Sequence, residues 1–423
     1  KIMRLFGKIS KKNFLIYGLG KSGISSFNYL KKKNKCFIFD DDQKKIEKKL
    51  KKFYISKFKL QKSKFDKIIL SPGINIDNCQ LSSYLKKNSQ KIITDLDIFF
   101  ISNPKQLIIS VTGTNGKSTT CKLLYKILKN HQYDARLVGN IGNPILKEKN
   151  IKRKTIFIVE TSSYQLAYTK YFKSNYSLIL NISPDHLERH ITMKNYVNTK
   201  LKSVTMQNEH GISILPNISL IKKILKTKNI KSRIIFTKKN NFNNLKNKIK
   251  NKYFQENIKF QNLIFLFVLV KHLNLDMSIV LKTINKFKPL KFRQELIYDS
   301  KKIKIINDSK STTLSSTTPF LKSNNKIYWI LGGLFKKGDK FNLEKKYYRK
   351  LKVFIYGRDQ ALFSNILKRK LKIYLSDDLE NSIKLISKYI KIEKKKITIL
   401  FSPAAASFDQ FKNFEHRGKR FNS

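Results

Sequence analysis

The sequence predicts an α/β protein of three domains, each built on a mostly parallel sheet covered by helices. Short runs of β-branched and aliphatic residues alternate with longer amphipathic stretches, which is typical of parallel sheets with helices on both faces. Glycines or small polar residues follow most of these runs, at the strand ends where open α/β sheets bind ligands. The 423 residues exceed what one ordinary core holds. We expect domains over residues 1–95, 96–290 and 291–423.

The N-terminal domain is predicted to be Rossmann-like. The turn GLGKSG at residues 18–23 joins a strand to a helix that reaches about Lys33, and a second strand ends at Asp40 and Asp41. This arrangement binds dinucleotides, so an NAD-dependent enzyme is one hypothesis. The same geometry would hold any nucleotide diphosphate, including a UDP-sugar. A further strand runs into the tight turn Ser71-Pro72-Gly73.

The central domain begins with a phosphate-binding turn in LIISVTGTNGKSTT, residues 107–120. Gly113 and Gly116 let backbone N–H groups surround a phosphate, Lys117 can reach its outer oxygens, and the Ser118 hydroxyl can ligate Mg²⁺. The first glycine stands three residues before Gly116, where the common P-loop has five. A plain glycine turn is the alternative, but the Lys-Ser pair favours an ATP site.

The rest of the central domain is expected to continue the parallel sheet. Strands are expected over 107–111, 155–161 and 177–183, and helices over 120–129 and about 195–208. Polar groups follow these strands, at Asn140, Glu160, Asn181, Asp185 and His186. A carboxylate such as Glu160 at a strand end beside the P-loop suits Mg²⁺-ATP. A helix cap or surface carboxylate is the alternative for Glu160, and a solvated or core histidine is the alternative for His186.

The C-terminal domain is also predicted to be Rossmann-like. After Arg293 a hairpin is expected over 295–307, followed by Asp308. Strands ending in glycines or small polar residues are expected over 327–331, 353–356 and 397–401. Lys310 and Lys336 stand at such ends and could hold a substrate carboxylate. A solvated surface position is the alternative for any lysine of this chain.

Composition limits the functional classes further. The net charge of +61 would point to nucleic acid, but the lysines are spread over the whole chain and look like the bias of an AT-rich genome. We therefore expect no nucleic-acid partner. Three scattered cysteines without a CxxC pair favour a reducing cytosol and no structural zinc. The longest apolar run, 263–270, is too short for membrane insertion. We expect a cytoplasmic monomer.

These motifs together resemble the Mur ligase family, and most closely its D-glutamate-adding branch. The resemblance runs nearly end to end, through GLGKSG, SPGI, TGTNGKST, GNIG, ETSSYQL, NISPDHLERH, NDSKSTT, LGG and SPAAASFDQFKNFEHRG. The DNPR signature of members that add a diamino acid is absent. Folylpolyglutamate synthases share the P-loop variant but lack these C-terminal motifs.

The resemblance implies a binding role for residues of each domain, and it would make the GxGxxG turn a UDP site instead of an NAD site. The UDP substrate would be held by Gly20, Lys21, Ser22, Asp40, Asp41, Ser71, Pro72, Gly73 and Asn140. ATP would be held by Gly113, Thr114, Asn115, Gly116, Lys117, Ser118, Thr119, Asn262, Arg293 and Asp308. D-glutamate would be surrounded by Lys310, Thr312, Lys336, Ser407, Phe408 and Phe414.

The resemblance also implies a catalytic and metal-binding set. Ser118 and Glu160 would hold a first Mg²⁺, and His186 would help to hold a second. The pattern Tyr-x-x-x-Lys ending at Lys200 matches the family's carbamylated lysine, whose carboxylate-like group could bridge metals. The catalytic set would be Lys117, Glu160, His186, Lys200 and Lys336. The sequence departs from the family pattern at two places. The adenine-side motif is degraded, with Asn262 as its best remnant, and Lys337 stands beside Lys336, so either lysine could be the catalytic one.

The activity implied is an ATP-dependent ligase of peptidoglycan precursor synthesis. It would activate the carboxylate of UDP-N-acetylmuramoyl-L-alanine as an acyl phosphate, which the amine of D-glutamate then attacks. Another Mur ligase or a folylpolyglutamate synthase is the nearest alternative, and an NAD-binding enzyme is a more distant one.

Overall fold

The computed structural model describes residues 9–238, 242–255, 257–336 and 339–423. These residues form two compact units. The first holds the described residues up to Ile182 together with Lys194–Phe287, and the second holds Ser183–Met193 and Lys288–Ser423. No helix in the described part of the chain is long and apolar enough to cross a membrane.

The first unit begins with a four-stranded parallel sheet in the order β2-β1-β3-β4. Its strands are β1 (Asn13–Tyr17), β2 (Lys35–Phe39), β3 (Lys67–Leu70) and β4 (Ile92–Ile93). Its α-helices are Lys21–Leu30, Lys57–Lys62, Ser82–Lys87 and Asp95–Ser102. The expected strand–glycine turn–helix–strand order is confirmed, although the first helix ends at Leu30 and not near Lys33.

Glycine is required in the first turn by close backbone packing. Gly18 has φ +92°, and a Cβ at this position would lie 2.7 Å from the Cβ of Ser71. The Ser71 hydroxyl donates to the Gly18 carbonyl at 2.6 Å, so the turns after β1 and β3 are held together. The N-terminus of helix Lys21–Leu30 therefore faces the same sheet edge as the ends of β2 and β3.

The first unit also contains a six-stranded parallel sheet in the order β10-β9-β8-β5-β7-β6. Its strands are β5 (Leu107–Thr112), β6 (Ala135–Gly139), β7 (Ile156–Glu160), β8 (Tyr176–Ile179), β9 (Ile212–Pro216) and β10 (Arg233–Thr237). The helices of this part are Lys117–Asn130, Ser163–Tyr168, Met193–Thr205, Ser219–Leu225, Asn243–Lys246, Lys252–Gln255, Asn257–His272 and Met277–Asn285.

The parallel central sheet was predicted correctly, but several boundaries differ, among them those of the helix expected over about 195–208, which spans Met193–Thr205. The helix after the glycine turn begins at Lys117 and not at Thr120, because Gly116 adopts the left-handed conformation (φ +83°) that starts it. Strand β8 ends at Ile179, so Asn181 lies in the loop beyond the strand.

The two sheets of the first unit share a hydrophobic core. Residues of both sheets, such as Ile16 and Phe157, belong to one buried hydrophobic cluster.

The second unit is a six-stranded sheet in the order β11-β12-β16-β13-β14-β15. Strands β11 (Glu295–Asp299) and β12 (Ile303–Asn307) form the expected antiparallel hairpin. The parallel strands are β13 (Lys326–Gly332), β14 (Leu351–Tyr356), β15 (Lys372–Leu375) and β16 (Ile397–Phe401). The helices are Leu187–His190, Leu314–Thr317, Gln360–Leu367, Leu379–Ile390 and Phe414–Asn422.

Candidate active site

The glycine turn after β5 is held in shape by Asn181. The backbone N–H of Thr114 donates to the Asn181 carbonyl at 3.0 Å, and that of Asn115 donates to its side-chain oxygen at 2.8 Å. The Asn181 amide returns a hydrogen bond to the Asn115 carbonyl at 2.8 Å. Sequence reasoning placed Asn181 at a strand end but gave it no role, since a lone asparagine carries no spacing signal. Its contacts pre-form the turn from the adjacent strand.

Lys117 folds back over the turn that precedes it. Its Nζ lies 2.8 Å from the Gly113 carbonyl and 2.7 Å from the Thr114 carbonyl. The ammonium is therefore placed over the concave side of a loop that opens a long helix, where the helix N-terminus also favours anions. A phosphate held in this turn would replace neutral carbonyls as the partner of the ammonium, which gives a stronger, charge-assisted bond.

Asn262 packs against the same turn. A Cβ at Gly116 would lie 2.1 Å from the Asn262 amide nitrogen, so only glycine fits there. The Asn262 oxygen also accepts a hydrogen bond from the Asn181 amide at 3.3 Å. Asn262, which the resemblance assigns to the adenine side of ATP, therefore packs directly on the glycine turn, within the first unit.

Glu160 is buried at the end of β7 with one oxygen left unsatisfied. The side chain is only 1% exposed, and Oε1 accepts from the Asn140 amide at 2.7 Å. Oε2 is buried and has no hydrogen-bond partner in the described residues. An unpartnered buried carboxylate oxygen is costly, and a hard cation bound through oxygen would satisfy it. Residue 160 lies opposite Val111 in the β5–β7 register, next to the phosphate turn.

Lys200 is the second charged group buried against this turn. It is 1% exposed on helix Met193–Thr205, and its Nζ lies 2.9 Å from the Gly113 carbonyl. The ammonium also lies 4.6 Å from the centre of the Tyr196 ring. The Tyr196 hydroxyl is 3.1 Å from the hydroxyl of Thr114. Those residues predicted for ATP and the first metal that belong to the first unit therefore lie around β5 and its turn.

The residues predicted for the UDP substrate lie at the carboxyl ends of β1, β2 and β3, except Asn140, which follows β6 and contacts Glu160. Asp40 is buried and its two oxygens accept from the backbone N–H groups of Leu19 (2.6 Å) and Asp42 (3.0 Å). Gly20, Lys21 and Gly73 are exposed at this edge, and Ser22 and Pro72 are partly buried. Burial raises the pKa of Asp95, and this carboxyl is hydrogen-bonded to the Ser22 side chain. Asp95 is thus a supporting residue that the sequence motifs did not reveal.

In the second unit, His186 and Lys336 meet in one charged cluster. The Lys336 Nζ lies 2.9 Å from His186 Nδ1 and 3.0 Å from Asp185 Oδ1. Glu188 lies 3.4 Å from the same ammonium. The backbone at His186 adopts the left-handed conformation (φ +55°). The alternative lysine, Lys337, lies outside the described residues.

Asp308 is the buried carboxyl at the end of the hairpin. Its oxygens accept from the Ser402 hydroxyl at 3.0 Å and the Gln294 N–H at 3.2 Å. Burial raises its pKa to about 7, while these hydrogen bonds and nearby Arg293 act in the opposite direction. The two predicted ATP residues of this unit, Arg293 and Asp308, are therefore electrostatically linked.

The residues predicted for D-glutamate come from the loops after β12, β13 and β16 and from the start of helix Phe414–Asn422. The Lys310 ammonium lies 4.1 Å from the centre of the Phe414 ring. Ser407 is buried, Thr312 is partly buried, and Phe408 is 71% exposed. The structure brings Lys310 and Phe414 together and leaves Phe408 at the surface.

Arg417 is a structural residue of this loop region that the motif analysis did not single out. It is completely buried, and its guanidinium donates to the carbonyls of Ser309 (2.8 Å) and Ala405 (2.9 Å). It therefore ties the loop that carries Lys310 to the loop that carries Ser407. An arginine inside a charged helix gives no sequence signal that it is buried.

Comparison with known proteins gives consistent similarities. The Mur ligase middle domain model matches residues 111–281. A UDP-N-acetylmuramoylalanine--D-glutamate ligase of Rickettsia bellii is 32% identical over 97% of this chain and 96% of its own length. One with the same description from Buchnera aphidicola subsp. Schizaphis graminum is 35% identical over 97% of each chain.

Solved structures share the fold at lower sequence identity. UDP-N-acetylmuramate-alanine ligase MurC of Thermotoga maritima aligns with a TM-score of 0.53 at 16% identity, over 97% of this chain and 98% of its own. The MurF ligase of the same organism, in complex with ADP, gives 0.54 at 16% identity, over 86% and 89%.

Proposed function

This chain belongs to the Mur ligase family, and within it to the UDP-N-acetylmuramoylalanine--D-glutamate ligases. We propose which of its residues bind each substrate and which assist each step of the ligase reaction. The protein is an ATP-dependent ligase that joins D-glutamate to UDP-N-acetylmuramoyl-L-alanine in peptidoglycan precursor synthesis. The observation that carries the residue assignment is the buried Glu160 oxygen beside the glycine turn, because a buried carboxylate oxygen without a partner in the described residues supports a Mg²⁺-ATP site there.

Lys117 and the turn from Gly113 to Thr119 would bind the ATP phosphates. The Lys117 ammonium already lies over the turn, and the start of helix Lys117–Asn130 adds its partial positive charge. The Lys117 side chain would stay bound to the γ-phosphoryl group during its transfer and offset the negative charge that develops on it. Asn262, packed on Gly116, would support this turn from the adenine side.

The donor set fits Mg²⁺. Glu160 supplies a buried carboxylate oxygen that lacks a partner within the described part of the chain, and the Ser118 hydroxyl stands on the first helical turn. Among the described residues no three His, Cys, Asp or Glu side chains form a metal-sized cluster, so hydroxyl and phosphate oxygens would complete the shell. The ion would polarise phosphoryl oxygens. A second ion, helped by His186, belongs to the same proposal.

Lys200 would be carbamylated in the working enzyme. Carbamylation requires the neutral amine, and burial favours the neutral form of a lysine. The product is a carboxylate-like group in place of a buried ammonium. It would add a second oxygen donor next to Gly113.

The N-terminal sheet edge would hold the UDP part, with Asn140 near the reacting end of the substrate. In the second unit Arg293 and Asp308 would contact ATP. Lys310, Thr312, Lys336, Ser407, Phe408 and Phe414 would surround D-glutamate. Two lysines in that set suit an amino acid with two carboxylates.

In the reaction, a carboxylate oxygen of the L-alanine end attacks the γ-phosphorus, and ADP leaves. The amine of D-glutamate then attacks the acyl carbon, the tetrahedral intermediate collapses, and phosphate leaves with the oxygen it gained. No side chain acts as a covalent nucleophile. The chain's own groups bind, orient and neutralise charge.

The remaining expectations belong to this proposal as well. These are the domain ranges 1–95, 96–290 and 291–423, a monomeric state, a cytoplasmic location, and no nucleic-acid partner. A nucleic-acid partner would reveal itself by binding that weakens steeply with salt.

Phosphate release with Mg-ATP and UDP-N-acetylmuramoyl-L-alanine tests the function. We expect release with D-glutamate, and only background with L-glutamate or without an amino acid. Release that requires L-glutamate and a folate acceptor would contradict the proposal in favour of a folylpolyglutamate synthase.

A further inference from the structure

Two neighbouring carboxylates stand at the end of β2, and the structure gives them different tasks. Asp40 is 6% exposed, and each of its oxygens accepts a backbone N–H, from Leu19 and from Asp42. Both oxygens are therefore used to hold the glycine turn against the loop after β2. Asp41 is only partly buried and makes no such backbone contact with its carboxylate in the described residues.

The Asp41 carboxylate is instead held by Tyr17. The Tyr17 hydroxyl donates to Asp41 Oδ1 at 2.5 Å from the end of the neighbouring strand β1. The Gln80 amide fixes the backbone of the same residue by donating to the Asp41 carbonyl at 3.1 Å. Within the described residues, Asp41 Oδ2 receives no hydrogen bond. One oxygen is thus anchored, and the other is left to accept from a ligand.

Tyr17 is itself rigid. Its side chain is completely buried, and its ring packs edge-on against Phe39 with centroids 5.3 Å apart. Burial, the Asp41 hydrogen bond and the adjacent Cys79 thiol raise the pKa of the Tyr17 hydroxyl far above its usual value. The hydroxyl is therefore held in its protonated form, as the donor to Asp41.

We propose that Tyr17 is a positioning residue for the UDP substrate, which it serves by aiming the free oxygen of Asp41 at a hydroxyl or N–H donor of the uridine. This inference rests on the proposed function, because it assumes that the edge formed by β1, β2 and β3 binds the UDP part. It assigns the ligand-accepting role to Asp41 and a scaffolding role to Asp40. A buried hydroxyl that holds a charged acceptor restricts the carboxylate to one rotamer before the ligand arrives.

The test compares Tyr17→Phe, Asp41→Asn and the double variant with wild type. Tyr17→Phe keeps the ring and removes only the hydroxyl. We expect the KM for the UDP substrate to rise about tenfold, as for one lost hydrogen bond to a charged group, with kcat and the KM for ATP within about twofold. Because Tyr17 acts through Asp41, the double variant should be no worse than Asp41→Asn alone.

Tyr84→Phe is the matched control, since it removes a hydroxyl from the same hydrophobic cluster. It should leave both KM values unchanged. An unchanged KM for the UDP substrate in Tyr17→Phe, or in Asp41→Asn if the tyrosine variant does not fold, would overturn the inference. A parallel loss of kcat and ATP affinity, or additive effects in the double variant, would show a merely structural role and overturn it equally.

Failure of the proposed function gives a different result. It would appear as wild-type protein without D-glutamate-dependent turnover. In that case, calorimetry with UDP tests the role of Tyr17 and Asp41 independently of catalysis. Wild type should bind UDP, and Tyr17→Phe should bind it about tenfold more weakly. Absence of UDP binding to wild type would overturn both.

Discussion

Asn140 donates a hydrogen bond of 2.7 Å to Glu160 Oε1, and this bond fixes the direction of the second Glu160 oxygen. The backbone adds a parallel contact, because the N–H of residue 140 donates to the Glu160 carbonyl at 2.9 Å. A buried carboxylate is thus held from one side while its Oε2 is kept for another partner.

Glu160→Gln should abolish most activity without unfolding the protein. The amide keeps the volume and the Asn140 contact but lacks the negative oxygen that Mg²⁺ needs, so we expect phosphate release to fall roughly 100-fold or more. Without ligands, the melting temperature of the variant should equal or exceed that of wild type, because the buried negative charge of the Glu160 carboxylate is removed. Mg-ATP should raise the melting temperature of wild type and not of the variant. Near-normal turnover would remove Glu160 from the site.

Lys117→Ala should also lose roughly 100-fold or more of the activity while the fold is retained. Its ammonium donates to the carbonyls of Gly113 and Thr114, which belong to the glycine turn itself. Circular dichroism checks that the fold is retained, and the phosphate-release assay measures the loss of activity. As a control, Lys122→Ala changes a lysine of the same helix that lies over the Tyr125 ring, and it should be active. An active Lys117→Ala protein would contradict the ATP assignment.

Lys200→Ala should be impaired and partly rescued by short carboxylic acids. The substitution leaves a buried space beside Gly113, in which acetate or propionate could replace the carboxylate of a carbamylated lysine. Turnover is measured against acid concentration, with Lys202→Ala as the variant that should not respond. If Lys200→Ala has an unchanged rate, the residue takes no part in catalysis.

Asp97→Asn should destabilise the first unit by about 3 kcal/mol. Asp97 Oδ1 accepts from the backbone N–H groups of Lys170, Tyr171 and Phe172 at 2.7 to 3.0 Å, and the amide of an asparagine could not satisfy every donor. Urea unfolding measures the loss of stability. Asp77→Asn, an exposed residue paired with Lys86, should change stability by less than about 0.5 kcal/mol. Equal effects of both substitutions would contradict the buried role of Asp97.

The second unit should become less stable as pH rises from about 4 to about 7, owing to Asp308. Burial raises the pKa of Asp308 in the folded protein to about 7, above the ordinary value of 3.8. The folded state therefore binds the proton more tightly than the unfolded state, and stability present below pH 4 is lost as the pH passes through the folded pKa. Urea midpoints at pH 5 and pH 7.5 should differ less for Asp308→Asn than for wild type. An identical pH dependence would contradict this assignment.

The sequence alone predicts much of the fold and of the site, for physical reasons that are local. Gly18 and Gly116 mark turns where a side chain would collide with neighbouring atoms, so their spacing is a readable signal. The acidic residues after β2 and the Lys-Ser pair after the glycine turn are also signals that a short stretch of sequence contains in full. The start of the helix at Lys117 was missed because its first turn is polar and carries no apolar periodicity.

What the sequence does not reveal are contacts between distant segments. Asn181 shapes the phosphate turn 66 residues earlier, and Arg417 holds a loop 108 residues away. Both residues stand in motifs that carry the family resemblance, but these motifs do not show which distant segment each residue contacts, and buried polar residues follow no periodicity. The division of tasks between Asp40 and Asp41 likewise depends on Tyr17, whose apolar neighbours suggest only a core position.

The most direct test of the central claim follows an oxygen atom. UDP-N-acetylmuramoyl-L-alanine labelled with ¹⁸O in its terminal carboxylate is turned over with Mg-ATP and D-glutamate, and the released phosphate is analysed by mass spectrometry. If the carboxylate is activated as an acyl phosphate, each product formed releases a phosphate that carries one oxygen from the labelled carboxylate. Phosphate without label, formed together with the amide product, would contradict the account.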